Sequence, residues 1–297
     1  MSIKTALKVG LSILIVYIVL RSIDTGLLYA TLQKANPWWL LWALLWFVCS
    51  KLIGAQRLLL LLRTENIPLS APQNFRLYWL GMYYNLLLPG GISGDGYKIK
   101  ILMDSFGASF KRMFAITLLD RLGGVVALGQ LCLALAPGIP ALRPYWYLYM
   151  PALVMSIPAS WWLYLRLGGS LTKVWGRTSL LSLGVQASQL IATLGIVLAL
   201  SESALWLEYS LLFLISSVVA MLPLTIGGTG ARELTFLWGA GLLKIDPEKS
   251  VAIAFLFYLI STAVSFAGIV YSLNPGKMGL PERQKPVSRQ PDPGASP

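Results

Sequence analysis

The sequence predicts an all-α, polytopic integral membrane protein. Of its 297 residues, 56% are hydrophobic and 12% are charged, and the mean hydropathy is +0.68. A soluble chain of this length would expose far more charge. Several apolar runs also approach the ~20 residues that an α-helix needs to cross a hydrocarbon core. We therefore expect about six full transmembrane helices and two opposed re-entrant helical hairpins, which makes eight or more apolar helical segments.

Six apolar runs are predicted to be full spans. They cover residues 5–21, 37–62, 113–136, 145–165, 179–200 and 250–273. The first run resembles a signal peptide, but residues 28–30 form a poor cleavage site, so we expect an uncleaved span. One transmembrane domain is therefore predicted over residues 1–273. Residues 274–297 are rich in Pro, Gly, Ser and charge, which predicts a disordered cytoplasmic tail.

Two glycine-rich segments interrupt apolar stretches, one in each half of the chain. They are residues 89–95 (PGGISGD) and residues 223–230 (PLTIGGTG). A bilayer tolerates irregular backbone only where protein buries it or where it lines a cavity. Interruptions at corresponding positions of two halves point to the substrate site of a transporter. The alternative is that these glycines only allow close helix packing, as small residues do in membranes.

The distribution of basic residues predicts the orientation. If residues 74–106 and 206–243 are re-entrant hairpins, fifteen Lys and Arg collect in one set of loops and five in the other. Cytoplasmic loops carry the excess of Lys and Arg, so both termini are predicted to be cytoplasmic. The hairpins then enter from opposite faces, as in an inverted repeat. An alternative with eight full spans keeps both termini inside but places the basic residues 98–112 outside.

The composition also excludes several kinds of catalytic and metal-binding site. The chain has no histidine, which removes the commonest general base and metal ligand. Cys49 and Cys132 lie inside apolar runs, so neither a disulfide nor a metal site is expected. The net charge of +12 fits cytoplasmic loops and anionic lipid better than nucleic acid. We expect a protein that is not an enzyme and has no cofactor and no nucleic-acid partner.

Residues 85–96 form the first candidate loop. Its glycines let backbone N–H groups turn inward, and a short helix is expected to start after Ser93 or Asp95, either of which can cap it. A helix N-terminus with free amides favours anions such as phosphate. Residues 91–98 lack the Gly-Lys-Ser/Thr ending of a nucleotide-binding phosphate loop, so we reject nucleotide binding.

Asp120 and Arg121 lie about two turns into a predicted span. Charges at that depth are costly unless they are paired or hydrated. Consecutive helical residues do not face each other. We therefore expect Arg121 to face a cavity and Asp120 to pair with Lys51 or Arg57. The alternative is that Asp120 and Arg121 anchor near headgroups by snorkelling.

Arg232 and Glu233 begin the helix after the second interruption. Glu233 suits the positive end of a helix dipole, whereas Arg232 does not and is expected to bind an anionic headgroup. Alternatively, Arg232 clamps the two hairpins together through Asp95 or Asp120. The predicted substrate-binding residues are Asn85, Pro89, Gly90, Gly91, Gly94, Asp95, Asp120, Arg121, Pro223, Gly227, Gly228, Gly230, Arg232 and Glu233, with Lys51 and Arg57 as cavity cations; Arg57 could instead reach the cytoplasmic interface.

These motifs together resemble a known family. Residues 85–91 (NLLLPGG), 94–95 (GD), 120–121 (DR), 222–223 (LP) and 227–233 (GGTGARE) are similar to the flippase-like domain of lysylphosphatidylglycerol synthetases. The resemblance extends to about residue 273, with Asp120 in place of the family's Glu. It implies a membrane domain that moves lipids between leaflets. The soluble synthase domain is not found in the sequence, so synthase activity is not expected.

The sequence therefore predicts an inner-membrane translocase for an anionic lipid, either a phospholipid or a polyisoprenyl-phosphate-linked lipid. Two alternatives stay open. A membrane-embedded lipid-linked transferase would use Asp95, Asp120 or Glu233 as a base or metal ligand, although clustered acidic motifs are missing. A non-transporting partner of a lipid-modifying enzyme would dock through the basic tail.

Overall fold

The computed structural model of the protein describes residue 17 and residues 25–87, 93–221 and 230–281. All regular structure within these residues is helical. Six helical segments are long and apolar enough to cross a membrane: Pro37–Thr64, Phe110–Gly138, Arg143–Leu167, Gly169–Ala199, Ser203–Met221 and Pro247–Leu273. The prediction of an all-α polytopic membrane protein is confirmed.

Short turns and 3₁₀ segments connect the α-helices of the described residues. Asn36 caps one long helix by accepting a hydrogen bond from the Trp38 N–H at 3.0 Å, and Asp246 caps another through the Lys249 N–H at 2.9 Å. Proline follows each cap at the first helical position, where its missing N–H costs nothing. The helices are α1 (Thr25–Gln33), α2 (Pro37–Thr64), α3 (Ala71–Leu87), α4 (Ser93–Phe106), α5 (Phe110–Leu135), α6 (Trp146–Leu167), α7 (Trp175–Ala199), α8 (Trp206–Met221), α9 (Ala231–Leu243), α10 (Pro247–Phe266) and α11 (Ile269–Leu273).

Helices α2 and α7 form the most extensive helix pair. Gly195 of α7 allows their close approach, because a Cβ at this position would lie only 3.0 Å from the Trp39 carbonyl oxygen of α2. Helix α10 packs against α2 and α3 and contributes Phe257, whose ring lies 5.4 Å from the Phe47 ring and 4.7 Å from the Phe213 ring. Helix α6 packs mainly on α5 and leaves most of its side chains exposed.

Two helix pairs flank the glycine-rich segments. Helices α3 and α4 pack together on either side of residues 88–92, and α8 and α9 do so on either side of residues 222–229. In the first pair Gly94 lies directly against the backbone of Gly81, and its N–H donates to the Asn85 Oδ1 at 2.9 Å. The absent side chain at Gly94 is therefore what lets α4 begin against α3.

Five of the six predicted spans correspond to candidate spans of the structure. The other, residues 5–21, lies outside the described residues apart from residue 17. Residues 206–222 were expected to be one arm of a re-entrant hairpin, yet Ser203–Met221 is long and apolar enough to cross. Helices α3, α4 and α9 are not among the candidate spans. Re-entrance of either hairpin stays a prediction.

The beginning of the predicted tail contacts α3. Met278 is buried, and the Lys277 carbonyl accepts a hydrogen bond from the Arg76 guanidinium at 2.8 Å. The Gly279 carbonyl accepts another from the Gln73 side chain. Backbone acceptors and one apolar side chain thus connect residues 274–281 to α3 and its neighbours, and disorder of the tail stays a prediction. Residues 282–297 lie outside the described residues.

Cysteine accessibility tests the re-entrant topology. With Cys49 and Cys132 replaced by Ser, Asp104→Cys on the exposed side of α4 should react with an impermeant maleimide in inverted vesicles only. The reason is that re-entrance keeps residues 98–112 cytoplasmic. Lys34→Cys, which is exposed and expected on the opposite face, should show the reverse pattern. Labelling of residue 104 in right-side-out vesicles would instead support eight full spans.

Gly94→Ala should destabilise the α3–α4 pair. The added methyl group would overlap the Gly81 carbonyl, and overpacking of this kind costs about 1–3 kcal/mol. The melting temperature of the detergent-solubilised protein is the measurement. Gly96→Ala is the matched control, because its Cβ would meet no atom within 4 Å. Equal melting temperatures for the two variants would show that the close approach is not needed.

Candidate functional site

A polar cavity of about 300 Å³ lies among helices α2, α3, α5, α7, α8, α9 and α10. Three cations line it: Lys51 from α2, Arg121 from α5 and Arg232 from α9. These three residues and Asn85 were predicted from sequence, and the fold brings them to one cavity; their role in binding stays a prediction. The other lining residues are Phe47, Met82, Leu86, Gln189, Ala220, Met221, Phe257, Ser261 and Ser265.

Arg121 is oriented by an ion pair with Asp95 of α4. Its Nε donates to the Asp95 Oδ2, while the Lys98 Nζ lies 2.6 Å from the Oδ1 of the same carboxylate. Asp95 and Lys98 are buried, and the Arg121 side chain is 23% exposed. The Asp95 carboxylate therefore forms ion pairs with two cations. The pair with Arg121 holds the arginine at the edge of the cavity.

Lys98 was missed as a site residue because we counted it among the basic residues of a cytoplasmic loop. It is instead buried in α4, and its ammonium group lies 5.4 Å from the centre of the Tyr78 ring. Its spacing of three residues from Asp95 was the available signal, since residues at that spacing are neighbours on a helix. Lys98 can be buried because the carboxylate of Asp95 compensates its ammonium charge.

Asp120 pairs with Arg57 of α2, one of the two partners predicted for it. The Arg57 Nε lies 2.7 Å from the Asp120 Oδ1, and the Arg57 Nη1 donates to the Ser182 Oγ of α7 at 2.8 Å. Arg57 is 6% exposed and Asp120 is 8% exposed. The alternatives in which Asp120 snorkels or Arg57 reaches the cytoplasmic interface are therefore wrong, because the two charges neutralise each other inside the bundle.

Arg232 is held by hydroxyl groups and aromatic rings. Its Nη1 donates to the Oγ atoms of Ser216 and Ser217 at 3.0 and 3.1 Å. The guanidinium carbon lies 5.2 Å from the Phe213 ring centre and 4.7 Å from the Phe257 ring centre. The alternative of an Arg232 clamp to Asp95 or Asp120 is wrong, because both carboxylates are engaged by other cations.

Lys51 is the third cavity cation. Its Nζ lies 4.3 Å from the centre of the Phe47 ring, which in turn packs edge-on against Phe257. Lys51 and Arg232 thus rest on one cluster of three rings, Phe47, Phe213 and Phe257. Within the part of the chain that the structure describes, neither cation has a carboxylate within ion-pair distance.

The remaining predicted residues divide into three groups. Glu233 lies in the first turn of α9, where its carboxylate is buried and its Oε2 has no hydrogen-bond partner among the described residues. Gly230 has a φ of 81° and immediately precedes α9, and Gly94 serves the α3–α4 contact. The rest lie outside the described residues: Pro89, Gly90, Gly91, Pro223, Gly227 and Gly228.

Several neutral groups at the site were missed. Ser216 and Ser217 hold Arg232, and Gln189, Ser261 and Ser265 line the cavity. Serine in an apolar helix also bonds to a carbonyl of its own helix, as Ser265 does, so its presence does not mark a site. Gln189 was the clearer signal, because a primary amide inside a span needs polar neighbours.

A second, larger groove of about 780 Å³ lies along α8 and α9. Its lining is almost wholly apolar and includes Leu211, Ile215, Leu234, Trp238 and Leu242. None of the described residues that line it carries a charge. Bilayer hydrocarbon suits this surface, and a charged group does not.

The Arg57–Asp120 pair generates a stability prediction. Arg57→Ala should lower the free energy of unfolding by about 3–5 kcal/mol, because it leaves a buried carboxylate without its counter-charge. The measurement is thermal or denaturant unfolding of the solubilised protein.

Two further variants serve as controls. Arg63→Ala removes an exposed arginine from the same helix and should change stability little. The double variant Arg57→Met/Asp120→Leu should recover most of the loss, since apolar replacement of a buried ion pair is often neutral. A single variant no less stable than Arg63→Ala would contradict the account.

In the comparison with known proteins, the chain matches one family model. Residues 5–168, which are more than half of the chain, match the family model described as "Lysylphosphatidylglycerol synthase TM region". This range contains Lys51, Asp95 and Arg121 but ends before Arg232, so it is shorter than the resemblance to about residue 273 that the motifs indicated. No curated protein matches the chain.

Proposed function

We propose that this chain, which belongs to the lysylphosphatidylglycerol synthase transmembrane-region family, moves an anionic lipid between the two leaflets of its membrane. The chain is a multi-pass membrane protein. The observation that carries the proposal is the cavity where Lys51, Arg121 and Arg232 converge from three helices.

The electrostatics of the cavity support an anionic ligand. Charges within a membrane domain are costly unless something compensates them. Arg121 has Asp95 as a partner, whereas Lys51 and Arg232 have aromatic rings and, for Arg232, hydroxyl groups. Aromatic faces compensate a cation only in part. A phosphate group in the cavity would supply the missing negative charge.

The shape of the site supports binding of the headgroup alone. A volume of about 300 Å³ has room for a phosphate and a small substituent and is too small for two acyl chains. Asn85, Gln189 and Ser261 add neutral polar groups around the cations. The hydrocarbon chains would stay in the bilayer, against apolar surface such as the groove of α8 and α9.

Transport requires the headgroup to reach both faces in turn. Helix pairs α3–α4 and α8–α9 each contribute to the cavity and each flank a glycine-rich segment. We propose that these pairs move relative to α2 and α7, in the manner of alternating access. Location in the inner membrane belongs to the same proposal, and so do the cytoplasmic termini, which the distribution of basic residues predicts.

The transferase alternative needs a carboxylate that is free to take a proton or hold a metal. Asp95 and Asp120 are buried and each is paired with at least one cation. Such pairing occupies oxygen lone pairs that a proton or a metal would need. At Asp95 and Asp120 the arrangement therefore supports binding more than acid–base chemistry. Of the three carboxylates, Glu233 alone forms no ion pair with a described residue, so the transferase alternative rests on Glu233.

A reconstituted translocation assay tests the proposal. Purified protein in liposomes should accelerate leaflet exchange of fluorescent phosphatidylglycerol or a labelled polyprenyl phosphate. Arg232→Ala should slow that exchange by about 10–100-fold, since a hydrogen bond to a charged group is worth about 1.5–3 kcal/mol. Exchange is measured by dithionite quenching of outer-leaflet label.

Arg177→Ala is the matched control, because it removes an exposed arginine from α7 outside the cavity. Its exchange rate should equal that of the unmodified protein. Exchange by Arg232→Ala at the unmodified rate, with the melting temperature unchanged, would refute the assignment of the site. Absence of exchange for every anionic lipid tried would refute the function.

A further inference from the structure

We infer that the cavity is matched to a lipid phosphomonoester, whose single phosphate carries up to two negative charges, rather than to a singly charged phosphodiester headgroup. The inference rests on the proposed function and deepens it. It comes from the number of positive and negative side chains around the cavity and from the position of the cations that have no carboxylate partner.

Among the described residues, five cations and three carboxylates are the charged side chains at and around the cavity. Arg57 and Asp120 neutralise each other, and Asp95 is shared between Lys98 and Arg121. Glu233 follows Arg232 in sequence and forms no ion pair with any described residue. Counted by formal charge, these described residues carry two positive charges in excess: Lys51, Arg57, Lys98, Arg121 and Arg232 against Asp95, Asp120 and Glu233.

The glycine-rich segments that follow α3 and α8 in sequence cannot change this balance. Residues 88–92 read LPGGI and residues 222–229 read LPLTIGGT, so neither contains an ionisable side chain. Whatever conformation these segments adopt, they can contribute backbone amides and threonine hydroxyls but no charge. A bound anion would bring the formal charge of the described residues towards neutrality.

The excess charge lies where a ligand can reach it. Lys51 and Arg232 both line the cavity, and both rest on the cluster of Phe47, Phe213 and Phe257 instead of on a carboxylate. Rings of this kind stabilise a cation without neutralising it. Because Arg121 also lines the cavity, a phosphate there would have cations around it from three separate helices.

The two headgroup classes differ in how far they restore neutrality. A phosphomonoester carries a charge of about −1.5 to −2 at pH 7. It therefore compensates both excess cations, whereas a phosphodiester leaves one of them uncompensated. In surroundings of low dielectric that remaining charge is costly, which favours the monoester.

Free inorganic phosphate has the same chemistry as the monoester headgroup. The lipid source fits the surroundings better, because Met82, Leu86 and Met221 line the same cavity beside the cations. Apolar side chains next to a phosphate site suit the glycerol or prenyl carbon to which a lipid phosphate is attached. The experiment below separates the two sources.

The test compares two lipids with identical acyl chains in one assay. Proteoliposomes at pH 7 would carry fluorescent phosphatidic acid or fluorescent phosphatidylglycerol at equal mole fraction. Phosphatidic acid should exchange at least about tenfold faster, because one uncompensated charge within the membrane is avoided. A polyprenyl phosphate in a parallel sample tells the two kinds of lipid monoester apart, and faster exchange of either one supports the inference.

A charge variant links the preference to the cavity. Lys51→Gln removes one of the two excess charges, so the ratio of phosphatidic acid exchange to phosphatidylglycerol exchange should fall towards one. Lys100→Gln, at an exposed position of α4, should leave that ratio unchanged. Both variants are checked for an unaltered melting temperature.

The outcomes separate this inference from the proposed function. Exchange of phosphatidylglycerol at least as fast as both monoesters would overturn the inference and leave the translocase intact. No exchange of any lipid would remove the translocase and the inference together. Inhibition of exchange by millimolar inorganic phosphate, with no preference among lipids, would assign the cavity to a water-soluble anion and would also overturn the inference.

Discussion

Ion pairs inside the helix bundle are the constraint on which the rest of the structure depends. Asp120 joins α5 to α2 through Arg57, and Asp95 joins α4 to α5 through Arg121. Asp120 and Arg121 are consecutive, so they leave α5 on different sides. One side of α5 is thereby fixed in the bundle, and the other carries a cation to the cavity. Neutralising Asp120 alone would leave the buried Arg57 charge without its partner, whereas Asp95 would still have Lys98 if Arg121 were neutralised.

The two halves of the chain orient their cavity arginines by different means. Arg121 rests on a carboxylate, whereas Arg232 rests on two serine hydroxyls and two phenylalanine rings. The neutral support in the second half fixes the guanidinium without cancelling its charge. Phe257 is central to this arrangement, because it also packs on Phe47, the ring beneath Lys51. Because hydroxyl groups and aromatic rings carry no net charge, the positive charges of Arg232 and Lys51 remain available to a ligand.

Much of the fold and the core of the site could be predicted from sequence. Hydropathy identifies spans because every apolar run of that length must be buried in lipid or protein. The pairing of Asp120 followed from the rule that adjacent helical residues cannot satisfy each other. The role of Lys98 did not follow, since a loop lysine and a buried one look alike until the helix position is known. The ring cluster was equally hidden, because apolar helices contain many aromatic residues and sequence gives no distances between them.

The central claim is that the cavity holds an anionic headgroup, and site-specific photocrosslinking tests it most directly. A diazirine-bearing aliphatic residue would replace Met82, which lines the cavity, or Met155, which is 64% exposed on α6. After irradiation in mixed-lipid membranes, mass spectrometry identifies the captured lipids. The account predicts strong enrichment of anionic lipid at position 82 and bulk membrane proportions at position 155. Bulk proportions at both positions, or no captured lipid at position 82, would contradict it.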